Sequence, residues 1–160
     1  MQEFYQIILK MRLLFFLLLN FGALALGSFL MGEGPTGMWY SNLNKAPWTP
    51  PGWVFGASWT VIMLCLSFFM SKAIQIGPLR ASILWIYSVQ LVLNVFWNVL
   101  FFNFNWMGIA LIEIICLVFV VGAMAIIAKP YLPIKTWLLA PYILWLCIAI
   151  TLNAYALQNN

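Results

Sequence analysis

Few side chains in this sequence can do chemistry, and their spacing gathers them. Glu113 is the only acidic residue inside a long apolar run. An ionisable group in such a run is costly and by default marks a functional or assembly site. Gln90, Asn94, Trp97, Asn98 and Phe101 recur at i, i+4, i+7, i+8 and i+11, one stripe of a helix. Tyr142, Trp145, Ala149 and Asn153 recur at i, i+3, i+7 and i+11, a second stripe. Amides and indoles offer hydrogen-bonding groups and flat faces, which suits recognition better than acid–base catalysis. The competing reading is assembly: a protonated Glu113 and several Asn amides tying helices together, each worth about 1 kcal/mol or less. Such glue does not explain the indoles on the same faces, because close helix contacts favour small residues.

The elements that must position these groups follow from composition. Of 160 residues, 66% are hydrophobic and 6% charged, with mean hydropathy +1.03. A soluble surface needs far more charge, so the chain is predicted to be an all-α integral membrane bundle of five transmembrane helices. Five stretches can each cross the hydrocarbon at about 20 residues: Leu13–Met31, Trp53–Lys72, Leu79–Phe102, Trp106–Ala128 and Lys135–Leu157. They form one domain over 1–160, with no repeat of 20–50 residues. An odd number of spans argues against two inverted halves. Lys10 and Arg12 precede the first span, but its apolar run exceeds the usual 7–15 residues of a cleaved signal, so a retained helix is expected.

Between the first two spans lies a ring-rich loop, 32–52. The run Trp39–Trp53 holds three Trp, one Tyr and three Pro in fifteen residues, and Pro47, Pro50 and Pro51 forbid a continuous helix there. Its rings read either as an interfacial belt or as a lid. Lys10, Arg12, Lys72, Arg80, Lys129 and Lys135 fall on one side of the spans and only Lys45 on the other. The positive-inside rule then places the N-terminus in the cytoplasm and the C-terminus and loop outside. The net charge of +4 therefore bears on orientation and not on nucleic acid.

At about 1.5 Å per residue, Trp59, Asn94, Asn98, Glu113 and Asn153 all lie roughly 6–12 Å below the loop side. The expectation is a pocket under the loop, roofed by rings, walled by Trp and floored by amides, with Lys45 at its mouth. Such a pocket fits a flat, lipophilic ligand with a polar edge. The sequence has no His, the commonest axial ligand of haem iron, so a tetrapyrrole here is expected to be metal-free and held by stacking. Cys65, Cys116 and Cys147 sit singly in three spans, so they read as packing residues, with no metal site.

The run Trp39-Tyr40 … Leu43 … Lys45 … Pro47-Trp48-Thr49-Pro50-Pro51 … Trp53 … Phe55 … Trp59-Thr60 resembles the signature of the tryptophan-rich sensory protein/translocator protein (TspO/MBR) family. So do Gln90-Leu91 … Asn94 … Trp97 … Leu100-Phe101-Phe102, Ala110-Leu111-Ile112-Glu113, and Pro141-Tyr142 … Trp145 … Ala149 … Thr151-Leu152-Asn153. The resemblance implies a five-helix membrane protein, a homodimer, that binds porphyrins and, in some members, cholesterol-like and drug ligands. It carries ligand-binding roles to Trp39, Tyr40, Trp48, Trp59, Asn94, Trp145 and Ala149. It also implies, for some bacterial members, light- and oxygen-dependent porphyrin breakdown with Trp59 and Trp145 taking part. No cofactor is obligatory; the porphyrin is the ligand. The sterol-associated motif is incomplete, because no Lys or Arg follows Tyr155.

Overall fold

The structure is a computed structural model that describes residues 2–160. It is all-helical, with helices α1 (Gln2–Leu30), α2 (Met38–Asn42), α3 (Gly52–Ala73), α4 (Gly77–Asn98), α5 (Met107–Ala128) and α6 (Ala140–Asn159). All but the short α2 belong to five segments long and apolar enough to span a membrane.

The boundaries have local causes. Gly32 (φ 63°) and Gly34 (φ 51°) take left-handed backbone that ends α1, and a 3-10 turn over Gly34–Thr36 leads to α2. Pro51, extended at φ −60° and ψ 151°, sets the start of α3. Pro78 and Pro141 lie in the first turns of α4 and α6, where a missing N–H costs nothing. The far end of α4 does not stop at Asn98: it widens into a π turn, Val99–Asn103, and Asn105 (φ 58°) then reverses the chain into α5. Before α6, residues Lys135–Leu139 wind as a 3-10 turn.

The long helices close a ring. Helix α1 lies beside α3 and α4, α5 beside α4 and α6, and α6 returns to α3. In lipid, helix association rests on close packing and interhelical hydrogen bonds more than on apolar burial. Gly27 shows the packing: a Cβ there would sit 2.8 Å from Asn98 Nδ2, so a larger residue would force the Asn98 amide to move.

The half of the bundle remote from the loop is filled. Phe16, Ile62, Met63, Leu66, Phe69, Met70, Ile83, Leu117 and Met124 are all buried in one cluster. A polar triad crosses it. Tyr87 donates to Asn20 Oδ1 (2.7 Å), Asn20 Nδ2 donates to Ser67 Oγ (2.8 Å), and Ser67 donates to Met63 O (2.7 Å). This corrects the expectation that the intramembrane polar groups all lie beneath the loop.

Candidate functional site

The other half encloses a cavity of about 540 Å³, within the range of small-molecule sites. Helix α3 contributes Gly52, Phe55, Gly56 and Trp59; α4 contributes Asn94, Trp97 and Asn98; α6 contributes Ala149, Leu152, Asn153 and Ala156. Tyr40, Leu43, Lys45, Ala46, Thr49 and Pro50 close it from the loop side.

The π turn shapes one wall. Its extra residue turns Phe101 and Phe102 toward the loop, Trp97 stacks on Phe101 (5.0 Å, 11° between planes), and Trp39 meets the same ring edge-on at 5.5 Å. Tyr40 packs against Phe102 at 5.4 Å. Burial raises the Tyr40 phenol above its ordinary pKa of 10.0, so it stays neutral at physiological pH. Lys45 Nζ donates to Tyr40 O (2.8 Å) and Ser41 O (3.1 Å) and lies 4.9 Å above the Tyr40 ring. The ammonium therefore caps α2 and borders the cavity at once.

The amides divide by use. Gln90 Nε2 donates to the Tyr142 hydroxyl oxygen (2.8 Å), and Asn94 Nδ2 donates to it as well. Asn98 Nδ2 turns back to Asn94 O (3.3 Å). Asn153, with its amide oriented to its partners, donates to Met107 O and accepts from Leu111 N–H, both at 3.1 Å. That splints the first turn of α5, so the gluing role describes Asn153. Among the described residues, four buried side-chain polar atoms have no partner: Gln90 Oε1, Trp97 Nε1 and both Glu113 carboxyl oxygens.

Eight sequence-predicted residues border the cavity: Tyr40, Lys45, Trp59, Asn94, Trp97, Asn98, Ala149 and Asn153. Six others stand off it. Gln90 and Tyr142 are buried beside Asn94, and Glu113 is buried on α5. Trp145, 6% exposed, lies behind Phe55, which it meets edge-on at 5.1 Å. Trp39 lies behind Phe101. Trp48, 54% exposed, lies on α6 with its ring 5.3 Å from Tyr155 and Nε1 3.3 Å from Thr151 Oγ1. The roof of indoles is thus corrected. Trp53 is 74% exposed, and the roof itself is Tyr40 with small and aliphatic residues, because the Pro-stiffened loop sends its indoles outward.

Sequence reasoning missed the α1 wall of Leu24, Ser28, Met31 and the following Pro35; an apolar helix carries no polar stripe to betray its inner face. Gly52, Phe55, Gly56 and Trp59 were readable as one helical face. Also missed was the fastening of the loop to α6: Asn44 N–H donates to Asn160 Oδ1 (2.8 Å), and Asn160 Nδ2 donates to Asn44 O (3.3 Å).

The profile of the TspO/MBR family matches residues 15–158. The chain is 34% identical over 128 residues to a tryptophan-rich sensory protein of Cereibacter sphaeroides, covering 76% of this chain and 77% of that one. It is 32% identical to the translocator protein of Homo sapiens, covering 82% and 79%. To the translocator protein of Bos taurus it is 32% identical, covering 91% and 88%.

Proposed function

The chain belongs to the TspO/MBR family, and from that premise we propose that it is a membrane receptor or carrier that binds tetrapyrroles in the cavity beneath its 32–52 loop. The observation that carries this reading is the cavity's make-up: two indoles, Trp59 and Trp97, with the amides of Asn94 and Asn98, in a mostly apolar void of about 540 Å³. Flat macrocycles bury their faces against such walls, and the amides and Lys45 can meet carboxylates on their edge. Trp97 Nε1 is buried with no acceptor among the described residues, so a small turn of its ring would be needed for it to donate to a ligand carboxylate or carbonyl.

The reading includes an orientation with the N-terminus cytoplasmic and the loop outside, supported by six Lys and Arg against one. It also includes the homodimer that the resemblance implies, although α4 offers only Ala81, Ser82 and Ser88 as small residues on its exposed face. Light-dependent porphyrin breakdown has less support, since Trp145 stands behind Phe55 and only Trp59 of that pair borders the cavity.

Titration of protoporphyrin into the purified protein, followed by Trp quenching, tests the site. Trp59→Phe with Trp97→Phe should weaken binding at least tenfold, while Trp48→Phe should not. Binding unchanged in the double variant would overturn this pocket. Illumination of the complex that bleaches porphyrin no faster than in free solution is expected; faster conversion to a new pigment would favour the enzyme reading.

A further inference from the structure

The end of the bundle remote from the cavity carries a feature that ligand binding leaves unexplained. Six of the chain's seven Lys and Arg lie there, against one acid, Glu3; Glu33 lies at the other end and Glu113 within α5. None of the six makes an ion pair among the described residues. They are not spread evenly around the rim. Lys72 lies in the last turn of α3. Arg80, in the first turn of α4, reaches back so that Nε donates to Ile74 O at 2.8 Å, just past the α3 terminus. Lys135 opens the 3-10 turn that packs against α3. Three cations therefore come from three elements that adjoin at this end of the bundle.

The surroundings select the partner. Ile134 and Trp137, beside Lys135 in sequence, are 79% and 77% exposed, an aliphatic and an aromatic surface next to the charges. Lys72 is half-buried, and a lysine so placed can lay its stem along the protein and extend its ammonium outward. Nζ of Lys72 and Nζ of Lys135 have no acceptor among the described residues. At the end of membrane-spanning helices, cations above an apolar and aromatic shelf match a phosphate above acyl chains.

We propose that Lys72, Arg80 and Lys135 hold the headgroup of an anionic phospholipid, with Trp137 and Ile134 against its glycerol and acyl region. The Arg80 guanidinium keeps its remaining N–H groups for the phosphate while Nε stays on Ile74 O. The lipid thereby bridges α3, α4 and the 3-10 turn and resists their separation. Loss of one charge should weaken binding about fivefold, and loss of all three on the order of a hundredfold.

The test measures thermal unfolding of the purified chain in neutral detergent doped with phosphatidylglycerol or phosphatidylcholine. Each variant is read against its own lipid-free midpoint. Phosphatidylglycerol should raise the midpoint of the unaltered protein, phosphatidylcholine should not, and added salt should shrink the rise. The triple variant Lys72→Gln, Arg80→Gln, Lys135→Gln should lose the rise, whereas Lys10→Gln, Arg12→Gln, Lys129→Gln should keep most of it. Because Arg80→Gln also removes the bond to Ile74, the double variant Lys72→Gln, Lys135→Gln provides a second reading and should lose most of the rise. Equal shifts from both lipids would overturn the proposal. So would equal losses in the two triple variants, which would mean a diffuse field, or the same rise with inorganic phosphate alone, which would mean a soluble anion.

Discussion

The two ends of this bundle solve opposite problems with the same helices. Toward 72–80 and 129–135, apolar side chains interlock and the buried polar groups Asn20, Ser67 and Tyr87 satisfy one another. Toward the loop, the helices line a cavity, and Gln90 Oε1, Trp97 Nε1 and the Glu113 carboxyl stay unmatched. A buried polar atom without a partner is destabilising, so the loop-side half gives up stability where the far half accumulates it. The difference teaches where to look for function: packing and polar satisfaction mark scaffold, and their joint failure marks a site.

Substitutions can break or sharpen that contrast. Phe69→Ala in the filled half should cost about 3–5 kcal/mol, read as a large drop in the denaturation midpoint in detergent. Ala149→Leu, which grows into the cavity, should weaken porphyrin binding at least about tenfold with little change in that midpoint. If the two midpoints fell equally, the loop-side half would not be hollow in the purified protein. Asn20→Ala should cost about 1 kcal/mol, because Tyr87 loses its acceptor and Ser67 its donor within the membrane; thermal unfolding reads it. Least costly is Asn160→Ala, on the order of 1 kcal/mol or less for an exposed clasp. Its signature is local: faster hydrogen exchange at the Asn44 amide, with the Phe69 region unchanged.

The five spans were legible because apolar length and Pro–Gly punctuation act locally. The observed α3 and α5 begin and end within a residue or so of the runs read from sequence. Two features were not legible in that way. The π turn after Asn98, where Phe101 and Phe102 meet rings of the loop, leaves no periodic trace in the sequence. The 3-10 start before α6 depends on its packing against α3. At the site, stripe logic placed Asn94, Trp97, Asn98, Ala149 and Asn153 on inward faces. Gln90 and Trp145 also face inward but stand off the cavity, since a helical stripe says which side a residue faces and not whether another ring, such as Phe55 before Trp145, stands in front. Trp48 belongs to no stripe, and its direction is set by contacts like that with Tyr155. Asn20 was passed over as one amide in an apolar run; its partners, 47 and 67 residues away, could not be paired by spacing.

The plug formed by Phe16, Phe69, Met70 and Ile83 bears on traffic. A chamber roofed by the loop and stoppered below offers no straight path from one face of the bundle to the other in this conformation. Vectorial passage to the opposite surface would require a second conformation in which that stopper parts.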